Sequence, residues 1–449
     1  MLDQMFTMEN FRKIFDRENR KGNDLGKEFF PEVVVISQRI KDKNAELRKL
    51  RSRKDKLSPE DFESERTDLA QSIRKLKSER SDLVNKELEV ISQKITNTSY
   101  KISLQKKIGP KEKAIYVLED SPENYFIEKQ LQNNIYRLYK VKQSSRHLLT
   151  SQIKNTLQNN LPLEIVRTDI SSFYESIDRV RLLNKLDEDQ LLSSASKKII
   201  KQILRSYEDL SGSTKGLPRG VGISAYMSEL YLRNLDRQIY ALPGLLLYCR
   251  YVDDIVAIFV RPETGKSVDS YLNIVIDCIK NNGLDHNEEK TDEIKTKVTP
   301  VYSFEYLGYA FNKVNTDSLK ILPSSSKLTK IEKRLELVFD VYYKARILNA
   351  RKAHRDLVSR IKFLTGNARL INSKANATTG IYFNNSLVTD PTVFDVLDKK
   401  LSSMIDATKR KQLKKNLNRF KFKEGFTQRR FHNFSSQELK NIVKPWKHV

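Results

Sequence analysis

Cysteine is nearly missing from this chain: among 449 residues only Cys249 and Cys278 occur. Neither belongs to a CxxC pair, and the five histidines are scattered. A disulfide framework and a structural zinc site are thereby excluded as organising elements, and a reducing compartment is expected. Long apolar runs are missing too, since none reaches the ~18 residues that a membrane-spanning helix needs. The start, Met1-Leu-Asp-Gln, has neither a basic n-region nor an apolar h-region. The expectation is a cytoplasmic protein without a secretory leader. Acids are in deficit, with 57 Asp and Glu facing 82 Lys and Arg, a formal charge of +25. Such an excess favours a polyanionic partner, because each phosphate neutralised by Lys or Arg releases condensed counterions. A basic membrane-surface protein would need a basic amphipathic helix backed by Trp or Phe. None is visible, so no membrane partner is expected.

What is present falls into three stretches, as the length leads one to expect. Residues 1–98 read as helical. A short amphipathic segment spans Asn10–Phe15, and a basic Arg20-Lys-Gly turn follows. Ile36, Ile40, Leu47, Leu50 and Leu57 then recur at spacings of three, four and seven. Leu69, Ile73, Leu76, Leu83 and Val90 form a second stripe. Between them, Ser58-Pro-Glu-Asp supplies an N-cap serine, a first-turn proline and an acid three residues after the cap. The prediction is an antiparallel helical hairpin over 35–95, a packing arm with no chemistry of its own.

Residues 99–311 change character. Ala114–Glu119 and Leu161–Arg167 read as strands among helices of moderate length, an α+β pattern. Residues 312–449 return to basic helices, with stripes over Ile331 to Leu348 and His354 to Leu364. Between Lys409 and Val449 thirteen Lys and Arg face two acids, Glu424 and Glu438. Phe420, Phe422, Phe426, Phe431, Phe434 and Trp446 are interleaved there. That mixture suits a surface lying along a nucleic-acid backbone, and equally a soluble basic tail.

The chemistry is carried by two stretches. In Leu245–Val260, two apolar strand-like runs flank Tyr251-Val-Asp-Asp254. Adjacent carboxylates in an apolar setting are costly, and like charges side by side raise the cost. A divalent cation offsets both effects, and few carboxylates with water and phosphate completing the shell are what Mg²⁺ takes at nucleotide sites. In Glu164–Asp178 a β-branched strand again delivers a carboxylate, Asp169, into a polar turn. Side by side, the two strand ends bring Asp169 close to Asp253, a carboxylate set suited to two metal ions. A lone Asp-Asp between strands can be a plain surface turn; the two stretches together say more.

With these residues the chain resembles the reverse transcriptase family. Tyr251–Asp254 is similar to its YxDD palm hairpin, and Asp169 to its first palm aspartate. Gly216-Leu-Pro-Arg-Gly-Val-Gly-Ile-Ser224 resembles the LPxG…S motif, Gly283–Thr291 the GLxxNxxKT motif, and Phe304–Tyr309 the primer-gripping LG turn. The motifs span about 160–310. The resemblance implies a right-hand polymerase: fingers, an RRM-like antiparallel-sheet palm and a helical thumb, after an N-terminal helical region. It implies catalysis by Asp169, Asp253, Asp254 and Lys290, the last a general acid if its pKa is lowered. Two Mg²⁺ ions, for which Mn²⁺ can substitute, would sit at Asp169, Ile170, Asp253 and Asp254. Tyr174, Arg219, Gly220 and the cations Lys140, Lys142 and Arg146 would bind nucleotide, with the three cations not separable. Gly222 and Ser224 belong to the same contact, and Tyr306, Leu307 and Gly308 would grip the primer. Many relatives carry Gln where Arg219 stands, which bears on nucleotide selectivity.

After 311 neither a ribonuclease H-like segment nor a Cys/His-rich endonuclease region is read. The wording around Asp169, with Phe363–Asn372 and Gly380–Asn385, is similar to bacterial defence-associated (antiphage) reverse transcriptases related to retron and group II intron enzymes. The retron VTG and NAxxH features are missing. The implied partners are an RNA template (a dedicated noncoding RNA in such systems), DNA product, dNTPs, and a partner reverse transcriptase or a second copy of the chain. A retron or group II intron-derived polymerase, and a catalytically inactive RNA-binding scaffold, are the alternatives.

Overall fold

The structure, a computed structural model, describes residues 2–97, 99–109, 112–159, 161–260, 270–314, 318–370 and 377–446. The chain divides into two compact units: Met1–Val141 with Val180–Met227, and Lys142–Arg179 with Ser228–Val449.

The first unit is mainly helical. Helix Met8–Arg20 buries Phe11, Ile14 and Phe15, and the Phe11 ring packs 5.3 Å from Phe126 of helix Pro122–Tyr139. Helices Pro31–Arg51 and Pro59–Thr96 pack on one another as the expected hairpin, with Ser58 accepting from the Asp61 amide at the cap. The expected second stripe needs correcting at its far end. Ile73 is buried, but beyond it the inward positions are Val84, Leu88, Ile91 and Ile95, while Val90 is exposed. Seven-residue steps drift around a straight 3.6-residue helix, so Leu83 and Val90 slide off the face, and the eleven residues from Ile73 to Val84 return the chain to it. Strands Leu104–Ile108 and Ala114–Leu118 pair antiparallel, and Tyr116 packs edge-on against Tyr207 at 4.7 Å.

The second unit holds a four-stranded antiparallel sheet in the order Leu245–Tyr251, Asp254–Val260, Leu163–Asp169, Asp292–Lys295. The two central strands are almost wholly buried, which is why they read as continuous apolar runs. Helix Arg146–Leu157 sends Leu149, Ile153 and Leu157 into one core with Ile165, Val256 and Ile258. On the other strand face, the Phe259 and Tyr271 rings stack at 4.0 Å. A second antiparallel sheet, Tyr302–Tyr306, Tyr309–Lys313 and Leu319–Pro323, continues the core into helices Ser325–Leu348, Ala350–Thr365 and Asp395–Ala407.

The aromatics between 409 and 446 close that core. Phe420, Phe422, Phe426, Phe434 and Trp446 are buried, and Phe431 alone of the six is exposed. They are packing residues, so of that mixture only the cations are left at the surface to meet a nucleic-acid backbone. Ile371 and Asn372, and the tail 447–449, lie outside the described residues. Among the described residues no helix is long and apolar enough to cross a membrane.

Candidate active site

Register alone sets the central contact. The Leu163–Asp169 strand pairs antiparallel with Asp254–Val260, from Leu163 opposite Val260 to Asp169 opposite Asp254. Directly opposed residues stand with Cβ atoms about 5 Å apart. Next to this pair, the Ile170 amide donates to the Asp253 carbonyl at 3.2 Å. Asp169, Ile170, Asp253 and Asp254 therefore gather at one end of the sheet.

The segment Gly283–Thr291 laces the same end. The Ser171 amide donates to the Asp285 carbonyl at 2.8 Å, and the Asn287 amide to the Asp169 carbonyl at 2.7 Å. Ile170 bridges to His286, and the Thr168 and Thr291 hydroxyls lie 2.8 Å apart. Lys290 Nζ thereby reaches Asp169 Oδ2 at 3.0 Å.

The electrostatics follow from this crowding. Burial first, then the charges of Asp253 and Asp169, push the Asp254 carboxyl up to about 6. Lys290, half exposed, moves the other way from what an acid catalyst needs: its hydrogen bond to Asp169 raises its pKa. The expected lowering is corrected, because three carboxylates hold the ammonium charged. Among the described residues no three His, Cys, Asp or Glu side chains form a metal-binding group. The donor chemistry still fits a hard divalent cation: acid oxygens crowded until one holds its proton to about 6.

The turn that presents two of these acids is strained. Val252 has φ +60°, a left-handed conformation that is unusual for a β-branched residue and costs roughly 1–2 kcal/mol. Two side chains brace it. The buried Arg250 donates from Nη1 to the Val252 carbonyl at 3.0 Å, and the buried Tyr306 hydroxyl lies 3.3 Å from the Cys249 and Asp254 carbonyls. Sequence reasoning passed over Arg250. The available signal was a lone cation inside the apolar run Leu245–Val260.

The remaining expected residues separate. Arg146, first residue of its helix, lays its guanidinium 4.5 Å over the Tyr251 ring and so stands beside the turn. Lys142 is exposed in the same unit. Tyr174 follows Ser172, itself left-handed at φ +43°, and its ring lies 5.4 Å from the buried Phe173. Tyr306 points inward, so its side chain is not available to a primer; Leu307 and Gly308 form the hairpin turn itself. Lys140, Arg219 and Gly220 belong to the other unit. There the Arg219 carbonyl accepts from the Tyr116 amide at 2.6 Å, and a Cβ on Gly220 would meet the Tyr116 carbonyl at 2.6 Å. The glycine is thus explained by its approach to the 114–118 strand. The Gly222 amide donates to Glu128, and the buried Ser224 hydroxyl to the Pro218 carbonyl at 2.8 Å.

Comparison with solved structures finds similarity to telomerases. Telomerase from Candida albicans with a TWJ fragment of telomeric RNA is 14% identical, with 78% of this chain and 63% of that one covered and a TM-score of 0.37. Apo telomerase from Candida tropicalis is 14% identical, covered over 77% and 60% with a TM-score of 0.36. A form of the latter truncated from its C-terminal domain is 13% identical, covered over 60% and 73% with a TM-score of 0.34. The chain thus spans less than two thirds of the length of the two untruncated telomerases. No curated protein matches. Residues 120–311, which include the three aspartates and Lys290, match the family described as reverse transcriptase (RNA-dependent DNA polymerase).

Proposed function

We propose that the chain is an RNA-directed DNA polymerase, a nucleotidyltransferase that copies an RNA template into DNA from dNTPs. The observation that carries this reading is the meeting of Asp169 with Asp253 and Asp254 at one sheet end inside the matched domain. In this reading the four-stranded sheet is the palm, residues 312–449 supply the thumb, 99–311 the fingers and palm, and 1–98 an N-terminal helical region. Asp169, Asp253, Asp254 and the Ile170 carbonyl would hold Mg²⁺. Magnesium bound there supplies a lowered pKa at the primer hydroxyl and charge neutralisation at the leaving pyrophosphate. Lys290 holds the Asp169 carboxylate in place through its 3.0 Å ion pair, and Arg146 sets positive charge beside the turn. Tyr174 lies five residues past Asp169, where the family keeps an aromatic under the sugar.

Purified protein with Mg²⁺, each dNTP and a primed RNA or DNA template tests this directly. Extension on RNA is expected, and Asp253→Asn should lower it by on the order of 10³-fold or more with folding and RNA affinity kept. No incorporation on any template would sink the reading. The motif wording further supports a bacterial, cytoplasmic role in antiphage defence, with a noncoding RNA template and a partner polymerase or second copy. Sequencing the nucleic acid that co-purifies should return one discrete RNA species; a random pool would remove that role.

A further inference from the structure

We propose that Arg250 is a positioning residue whose guanidinium locks the central peptide of the Tyr251–Asp254 turn and thereby fixes where Asp253 points. The inference rests on the polymerase reading for its consequence, though not for its geometry.

Arg250 is buried in the Leu245–Tyr251 strand with its side chain 8% exposed. Its fork is fully used. Nε and Nη2 donate to the two Asp236 oxygens at 2.7 and 2.8 Å, and Nη2 and Nη1 to the two Glu229 oxygens at 2.8 and 3.3 Å. Glu229 and Asp236 lie seven residues apart on helix Gly222–Tyr240, two turns along one face. Asp236 also accepts from the Tyr248 hydroxyl at 2.8 Å. The guanidinium is therefore clamped to the helix in one orientation. In that orientation Nη1 meets the Val252 carbonyl at 3.0 Å.

That carbonyl belongs to the peptide between the turn's two central residues. Positive φ occurs at Val252 and not at Asp253, the pattern of a II′ turn. Turning over the central peptide converts II′ into I′, which forces the second central residue to positive φ as well. Here the second residue is Asp253, so a flip would rotate the backbone that carries the carboxylate. No glycine favours II′ at this turn; Val252 is among the residues least suited to its first position. The brace substitutes for the missing glycine. A buried ion cluster is a poor route to stability, since apolar side chains of like volume do as well. Fixing one of two turn states is a better account of it. Lysine, with a single point charge, cannot serve Asp236, Glu229 and the carbonyl at fixed angles.

The test is a double-mutant cycle. Arg250→Met is made in the wild-type chain and in Val252→Gly, where glycine takes the II′ position without strain. Each full-length variant is measured for primer extension (kcat and KM for dNTP), for Mn²⁺ affinity by EPR titration without nucleic acid, and for melting temperature. In the wild-type background Arg250→Met should lower kcat about 100-fold, the effect of a roughly 1 Å misplacement, with KM little changed and Mn²⁺ binding weakened. In the Val252→Gly background the same substitution should cost less than about tenfold relative to Val252→Gly alone. Equal losses in the two backgrounds would show that Arg250 only neutralises buried acids, and unchanged Mn²⁺ affinity in a folded variant would overturn the proposal equally. Should the methionine variant not fold, Arg250→Lys keeps the charge against Glu229 and Asp236 and carries the same comparison. A wild-type chain that extends no primer defeats the polymerase reading, while the Mn²⁺ titration still reports on the brace.

Discussion

Two hairpin turns in the second unit have the same length and opposite construction. Both join paired strands through two residues: Val252-Asp253 between Tyr251 and Asp254, and Leu307-Gly308 between Tyr306 and Tyr309. The second carries its shape locally. Leu307 and Gly308 have φ +47° and +83°, as a I′ turn requires, with glycine at the second position, and the Gly308 carbonyl takes one main-chain bond from Ser324 at 3.0 Å. The first contains no glycine. Its shape depends on Arg250, anchored two elements away, and on Tyr306, which reaches up from the other hairpin. A turn that only reverses the chain can be specified by its own residues. One that must present carboxylates next to a third acid is specified by its surroundings, and its strain is offset elsewhere.

The comparison is broken most strongly by removing the acid crowding. Burial, then Asp253 and Asp169, raise Asp254 to about 6 against an ordinary value of 3.8. Between those values the folded state binds more protons than the unfolded one, so metal-free stability falls as pH rises from about 4 to about 6 and stays lowered above. The cost near pH 8 is at most about 3 kcal/mol, at roughly 1.4 kcal/mol per pKa unit, and solvent screening of this partly exposed carboxyl lowers it. Asp254→Asn should therefore raise the melting temperature in EDTA at pH 8 by a few degrees and flatten its pH dependence. Added Mg²⁺ should stabilise wild type and not the variant. An unchanged EDTA melt would mean that the three acids do not repel one another.

The glycine turn should fail differently. Gly308→Val forces a β-branched residue to φ +83° with no brace, and about 1–2 kcal/mol of stability should be lost in a urea melt. That loss should be the same with EDTA and with Mg²⁺. A Mg²⁺-dependent loss would tie the two turns more closely than their construction implies.

Much of this was legible in the sequence, for identifiable reasons. The central strands are covered on both faces, so their apolar runs announced them, and two strands ending in acids implied that Asp169 approaches Asp253, although the register sets it directly opposite Asp254. Features that depend on distant partners were not legible. Arg250 stood in plain view, but its acids lie on a helix whose facing the sequence does not state. The sign of the Lys290 shift followed from contact with Asp169, 121 residues away in sequence. Composition left the C-terminal end open between a nucleic-acid surface and a soluble basic tail, because aromatics alternate there with lysines and arginines. Burial, which composition does not report, made the aromatics core.

The finest comparison uses the two tyrosines that flank the glycine turn. Tyr306 and Tyr309 are cross-strand partners and both are buried. The Tyr306 hydroxyl goes to the Cys249 and Asp254 carbonyls, and the Tyr309 hydroxyl to the Asn384 carbonyl, all at 3.3 Å. Replacing either by Phe removes one hydroxyl from similar surroundings, so each should cost about 0.5–1.5 kcal/mol of stability. If the carboxylate turn depends on its surroundings as argued, their effects on synthesis must diverge. Tyr306→Phe loosens both strand ends beside the turn and should raise the Mg²⁺ concentration needed for half-maximal extension by a few-fold, whereas Tyr309→Phe should leave that concentration where it is. Equal Mg²⁺ curves for the two variants would reduce Tyr306 to a packing residue and leave the bracing of the turn to Arg250.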